Sequence, residues 1–369
     1  MKKLVKDFLS DYDPFLVFSL ALLCLIGLVG VYSATYKGGV STLFLKQGLY
    51  LLVGWCIVVA LSRVNFRAVY DLAHVVYFVN LFLLALVPLF GKTVYGAKRW
   101  LDLGPVNLQP SEFFKFSLVL FCLYVVSHTR RLFSQESLIL GIGVALPAVL
   151  TLKQPDLGTT IMYFVILALT LFLWGVRWRY FILTAFLLLA LSPLLWHFLR
   201  DYQKARLLAV LDPYADYHGS GYQLIQSMIA VGSGGLFGKG LLNGTQAQLL
   251  FLPEKHTDFA FSVLAEEWGL VGGLTLVGVV FVIFYRLLFY ALQVPHSLER
   301  VYLGVLAGLW LFQSSVNLLM TMGWAPVVGI PLPFVSYGGS SVLTFSLLLG
   351  LAFSVIREHR RRPIKFEHG

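Results

Sequence analysis

The chain has 369 residues, 58% hydrophobic and 12% charged, with a formal net charge of +10 and a mean hydropathy of +0.80. A soluble domain carries roughly twice that charged fraction, so a water-soluble globular protein is excluded. A transmembrane β-barrel is excluded too, because it would show segments of about ten residues alternating in polarity, and the apolar residues here form unbroken runs. The reading is an all-α, polytopic integral membrane protein, a single membrane domain over residues 1–369.

A helix needs roughly 20 mostly apolar residues to cross a hydrocarbon layer about 30 Å thick. Ten runs answer to that description: Pro14–Tyr36, Phe44–Leu61, Val69–Phe90, Phe113–His128, Leu138–Leu152, Thr159–Gly175, Tyr180–Leu199, Phe259–Tyr290, Val301–Gly323 and Ser341–Ile356. Lys2, Lys3 and Lys6 precede the first run as in a signal peptide. That run exceeds a signal-peptide core and no small-residue cleavage site follows it, so it reads as an uncleaved first helix. Cys24, Cys56 and Cys122 all fall inside apolar spans, which suits buried packing and suggests neither a disulfide nor a thiolate metal site.

Ten spans put both termini on one side. Placing them in the cytoplasm gathers Lys2, Lys3, Lys6, Arg63, Arg67, Arg130, Arg131, Arg177, Arg179, Arg286, Arg300 and the Arg357–Lys365 tail there, as the positive-inside rule requires. The tail is then a topology determinant beside anionic lipid headgroups. Nucleic-acid binding is not expected, because no folded basic domain accompanies it. Cations on the other side do nothing for topology, and they gather at Lys92, Lys98, Arg99, Lys115, Lys153, Arg200, Lys204, Arg206, Lys239 and Lys255. Loop solvation accounts for part of that set, and an anionic ligand on the outer face for the rest.

Two segments outside the spans are long, 91–112 and 200–257, both extracytoplasmic in this topology. In the second, Gln223, Gln226, Ser227 and Ala230 share one face of a short helix. A glycine-rich turn over Gly232–Gly240 follows, the pattern of a half-helix lying in the interface. It is not a P-loop. Lys239 is followed by Gly240 where Ser or Thr is needed, and Ser233 stands where the first glycine belongs.

The segment LPEKHTDFAFSVLAEEWG places Glu254, Lys255, His256 and Asp258 at the outer mouth of the eighth span. Asp258, Ser262 and Glu266 recur every four residues and share a helix face. Asp258 is either a carboxylate at a helix N-terminus or a reactive group. Glu266 and Glu267 lie about two turns in, where charge is either paired or functional. In the first outer segment Lys98 and Arg99 flank Trp100, an interfacial anchor or a platform for a sugar ring. Glu112 and Lys115, three apart at the start of the fourth span, form a surface ion pair or part of a site. Asp156 in QPDLG caps the next helix. PVVGIPLPFVSYGGSS cannot be regular helix, and irregular backbone at membrane depth must line a cavity or be buried in protein.

In order along the chain, GAKRWLDLGPVNLQPSEFFK, KQPDLGTT, GSGYQLIQSMIAVGSGGLFGKG, GTQ, LPEKHTDFAFSVLAEEWG and GIPLPFVSYGGSS resemble the motifs of the SEDS family of bacterial cell-wall proteins. The short termini, and GTQ ahead of FLPEKHTDF, look more like its elongation members than its division members. The resemblance implies a peptidoglycan glycosyltransferase of the bacterial cytoplasmic (inner) membrane that polymerises lipid II during cell elongation and rod-shape maintenance. It implies that Asp258 is essential and that Trp100, Glu112 and Lys115 are tied to function. It also implies a class B penicillin-binding protein, a transpeptidase, as partner within the elongation machinery.

The residues suit that chemistry. A single displacement needs one base for the attacking hydroxyl, and a pyrophosphate leaving group needs charge stabilisation more than a proton. Asp258 is the expected catalytic carboxylate. Lys98, Arg99, Trp100, Glu112, Lys115, Lys239, Lys255 and His256 are the expected substrate-binding residues. No cofactor is evident, and no ligand spacing demands a metal, although a divalent cation, Mg²⁺ or Mn²⁺, bridging Asp258 and the pyrophosphate is compatible. The rival readings are a lipid II flippase, for which buried Glu266 and Glu267 would suit, and a scaffold whose loops only bind a partner.

Overall fold

The computed structural model describes residues 11–94, 97–102, 104, 107–129, 135–214, 219–249 and 251–361. Lys2, Lys3, Lys6, Arg130, Arg131, Arg362 and Lys365, used above to orient the chain, lie outside them. Every expected span is a helix. In chain order the helices are α1 (Pro14–Thr35), α2 (Thr42–Leu61), a short α3 (Phe66–Asp71), α4 (Ala73–Phe90), α5 (Pro110–His128), α6 (Gln135–Lys153), α7 (Leu157–Leu173) and α8 (Trp178–Phe198). They continue with α9 (Asp201–Leu211), α10 (Ser220–Ser233), α11 (Thr245–Gln248), α12 (Ala260–Gln293), α13 (Ser297–Thr321) and α14 (Gly339–Arg361). Among the described residues eight helices are long and apolar enough to cross a membrane, and α7 and α8 are two shorter apolar ones.

The helix starts follow from local chemistry. Asp13 accepts from the Phe15 amide at 3.0 Å ahead of Pro14, and Ser41 accepts from Phe44 N at 3.1 Å, each relieving an amide that has no partner within its helix. Asp156 caps α7 as expected, accepting from Thr159 N at 3.1 Å.

The bundle is layered by burial. α5 is buried on almost every side and packs on α4, α6, α7, α13 and α14. α14 lies along α2, and α12 lies between α13 and α1. α8 has no buried side chain among its described residues, and it presents Phe186, Leu187 and Leu194 outward. Lipid tails are as apolar as these groups, so such faces need no protein cover.

Three features depart from the sequence reading. The fold is not purely helical: the first outer segment holds a three-stranded antiparallel sheet, β1 (Lys92–Val94), β2 (Ala97–Asp102) and β3 (Asn107–Leu108), in the order β1-β2-β3. Strands this short carry no readable alternation. Cys56 is exposed on the outer face of α2, whereas Cys24 and Cys122 are buried; hydropathy alone cannot separate a lipid-facing side of a span from a protein-facing one. Finally, α10 does not rest in the interface alone but docks on α12 and α13, where Ser227 Oγ meets Ser262 Oγ at 2.7 Å and donates to Thr321 O at 2.6 Å.

The glycine-rich stretch after α10 has a structural task. α12 is broken at Gly269 (φ 67°, ψ −162°), a conformation that favours glycine. The amides of Leu270 and Val271 donate to Gly235 O and Leu236 O, while those of Lys239 and Gly240 donate to Glu266 O and Glu267 O, all between 2.9 and 3.1 Å. The loop thus supplies partners for the backbone groups that the break releases, which lipid cannot do.

Residues 323–338 are non-helical, as the prolines require, with 332–336 buried and the rest mostly half-buried. α1 touches this segment so closely that a Cβ on Gly27 would lie 2.2 Å from Phe334 O.

Candidate functional site

Asp258 sits in the turn that leads into α12, partly exposed. Its backbone carbonyl accepts from Asn317 Nδ2 of α13 at 3.1 Å. A Cβ on Gly329, in the GIPLP segment, would lie 3.7 Å from its Oδ2. Burial pushes this carboxyl up to about 6 and the nearby Glu254 charge adds to the rise, while Arg206 and Arg99 oppose it and Asp156 adds slightly. It is therefore a carboxylate poised near neutrality, with two guanidinium groups in electrostatic reach.

The two arginines arrive from different directions. Arg99 is carried by β2, and its guanidinium donates to Gln154 O at 3.0 Å and to Pro155 O. The hairpin is thereby fastened to the turn between α6 and α7. Arg206 stands on α9 with its guanidinium 5.9 Å from the Tyr202 ring. It lines a small cleft with Pro155, Leu157, Tyr202, Pro326 and Val328. Arg206 was among the outer cations but not among the expected binding residues, because its loop gives no spacing that relates it to Asp258.

Lys98 is exposed and Trp100 half-buried on β2, with Trp100 opposite Lys92 in the sheet. Lys255 and His256 share the Asp258 turn. Burial, and then Lys37, push the Lys255 ammonium down, and the group donates to Ala247 O. Burial also lowers His256, whose carbonyl accepts from Tyr337 N at 2.7 Å. Lys255 and His256 thus flank Asp258 within one turn, whereas Lys98 and Trp100 are placed only as neighbours of Arg99 on β2.

Three expected site residues are held in ion pairs. Glu112 and Lys115 are buried, not at the surface, at 2.7 Å from each other. Lys115 also donates to Gln313 Oε1 at 3.2 Å and lies 5.4 Å from the Phe345 ring centroid. Lys239 Nζ meets Glu266 Oε1 at 2.6 Å and donates to Ser233 and Thr245 hydroxyls at 2.8 and 2.9 Å. Glu266 is thus paired, and Glu267 accepts from Ser33 Oγ of α1.

Asp156 joins two motifs that sequence alone left separate. It accepts from Gln109 Nε2 at 3.1 Å and Thr159 Oγ1 at 2.9 Å, while Tyr163 OH donates to Ser111 O at 2.8 Å. Among the described residues no group of three or more His, Cys, Asp or Glu side chains converges as a metal cage.

Known proteins are similar to this chain along nearly its whole length. The family model described as "Cell cycle protein", covering FtsW, RodA and SpoVE, matches residues 14–361. The chain is 40% identical over 355 residues to the peptidoglycan glycosyltransferase MrdB of Escherichia coli K12, covering 95% of this chain and 94% of that one. It is 37% identical over 370 residues to a probable peptidoglycan glycosyltransferase FtsW of Coxiella burnetii, covering 94% and 97%. Among solved structures, a chain of a peptidoglycan synthase complex that coordinates polymerization and crosslinking superposes with a TM-score of 0.82 at 35% identity, covering 95% of this chain and 99% of that one. The rod shape determining protein RodA of Thermus thermophilus superposes with a TM-score of 0.70 at 31% identity, covering 95% and 98%. The chain belongs to the family of FtsW, RodA and SpoVE, the SEDS proteins whose motifs it carries in order.

Proposed function

We propose that this protein is a peptidoglycan glycosyltransferase that polymerises lipid II during cell elongation. The observation that carries the mechanism is the Asp258 carboxyl, raised to about 6 with Arg206 and Arg99 close by. A sugar hydroxyl of one lipid-linked disaccharide attacks the anomeric carbon of another. The new glycosidic C–O bond forms as the bond to the pyrophosphate breaks, and the hydroxyl proton passes to Asp258. A base is most effective when its pKa lies near the working pH, and the raised value suits that role. Arg99, Arg206 and Lys98 supply positive charge for the departing polyprenyl pyrophosphate, with Trp100 beside them as a surface for a sugar ring.

Among the described residues no dedicated metal cage is present, so a divalent cation, Mg²⁺ or Mn²⁺, would be held by the carboxylates of Asp258 and nearby Glu254. When bound it would neutralise charge on the leaving group. The protein sits in the bacterial cytoplasmic membrane with both termini inside, which places Asp258 and its cations on the outer face. Its partner is a class B penicillin-binding protein, a transpeptidase of the elongation machinery that cross-links the emerging strand. The likeness to a synthase complex supports that pairing.

The test mixes purified protein, the candidate transpeptidase and lipid II, with no other polymerase present. Glycan polymer from wild type and none from Asp258→Asn is the expected result. Translocation of lipid II in sealed vesicles with no polymer from wild type would instead make the protein a flippase.

A further inference from the structure

Two buried amides on α13, Gln313 and Asn317, lie one turn apart with no side-chain exposure. Polar amides inside a span are expensive unless engaged; Gln313 is engaged at both ends and Asn317 through its Nδ2, while Asn317 Oδ1 is buried without a partner among the described residues. Gln313 Nε2 donates to Pro331 O at 2.8 Å, and its Oε1 accepts from Lys115 at 3.2 Å. Asn317 Nδ2 donates to Ile330 O at 2.8 Å and to Asp258 O at 3.1 Å. The consecutive carbonyls of Ile330 and Pro331 belong to irregular backbone at membrane depth, where each needs a donor.

We propose that Gln313 and Asn317 are positioning residues that hold Asp258 in register with the buried Glu112–Lys115 pair through the GIPLP segment. The proposal rests on the reading of Asp258 as the base. One Asn317 amide group bridges the Ile330 and Asp258 carbonyls and so ties the GIPLP segment to the Asp258 turn. The same segment also passes near the carboxylate, since a Cβ on Gly329 would lie 3.7 Å from Asp258 Oδ2. The chain Glu112, Lys115, Gln313, Pro331, Ile330, Asn317, Asp258 is therefore continuous. Through it, Lys115 acts on Asp258 from inside the protein without touching substrate. The charged groups acting on Asp258 from elements around it are Glu254, Arg206, Arg99 and Asp156. A shift in the Asp258 turn alters its distance from all four.

Polymerisation kinetics with lipid II on monodisperse, purified protein test this, with Asn317→Ala, Gln313→Glu, their double variant and Asp258→Asn in parallel. Small misplacements of a reacting group cost up to about a hundredfold in rate. Asn317→Ala should lose about ten- to a hundredfold in kcat with KM within about twofold. Gln313→Glu keeps an acceptor for Lys115 but loses the donor to Pro331, so it should lose less. The double variant should lose no more than Asn317→Ala alone, because both act through one segment. Wild-type kcat in Asn317→Ala, with KM unchanged or raised, overturns the proposal while an inactive Asp258→Asn leaves the enzyme reading intact. Wild-type polymer from Asp258→Asn defeats that reading and the proposal with it. Failure of both single variants to give monodisperse protein assigns the amides to folding, which also overturns the proposal.

Discussion

Lys239 Nζ lies 2.6 Å from Glu266 Oε1, which binds the outer glycine-rich loop to the interior of α12 one turn before its break at Gly269. Glu266 is fully buried and also accepts from Thr245 Oγ1 and the Gln246 amide, at 2.9 and 3.1 Å. Removing the cation leaves a buried carboxylate short of its counter-charge. Lys239→Met should therefore destabilise the protein by about 3 kcal/mol, the lower end for breaking a buried pair, since two neutral donors, the Thr245 hydroxyl and the Gln246 amide, remain. Adding Glu266→Gln should restore most of the loss. Thermal unfolding in detergent measures both, and a double variant no more stable than Lys239→Met would remove the pair from the account.

On the proposal that Asp258 is the general base, its ionisation sets the pH dependence of turnover. A general base acts only when ionised, and its carboxyl is raised to about 6, so kcat should climb from pH 5 to pH 7 and then level. One unit below that value only about a tenth of the groups are ionised, so turnover at pH 5 should be about tenfold below the plateau. Asp258→Asn should lose about 10²–10⁴-fold. An acid limb centred near 4 in wild type would contradict the raised value.

Arg206 lowers the Asp258 carboxyl by its charge. Arg206→Gln should therefore move the acid limb upward in pH, since removing a cation disfavours the carboxylate. If its guanidinium also meets the pyrophosphate, the variant loses a charge-assisted hydrogen bond of about 1.5–3 kcal/mol, or about ten- to a hundredfold in kcat/KM. Turnover against pH with lipid II reads both effects, and an unchanged limb with unchanged kcat/KM would place Arg206 outside the site.

Topology can be tested with little disturbance. In a background lacking Cys24, Cys56 and Cys122, cysteines at Lys204 and Arg361 should react with an impermeant reagent from opposite faces of the membrane. Lys204 is on α9 and Arg361 closes α14. Labelling of both from outside would break the inferred span count.

The spans were legible because crossing a bilayer demands about 20 consecutive apolar residues, a condition written along the chain itself. The irregular GIPLP segment was legible for a similar reason, since proline and glycine exclude helix locally. The Asp258 turn stood out because four ionisable or polar groups meet at the mouth of a span. What the chain order does not encode is who meets whom. Gln313 reaches Lys115 across 198 positions and Asn317 reaches Asp258 across 59, and no periodicity links either pair. The only signal in the sequence was two amides at i and i+4 inside an apolar run. Likewise Glu266 and Glu267 read as paired or functional until Lys239 and Ser33 were found beside them. Sequence fixes where the chain is apolar enough to enter the membrane. Only the packed bundle decides which polar group answers each buried charge, because in a medium without water that partner must come from the protein.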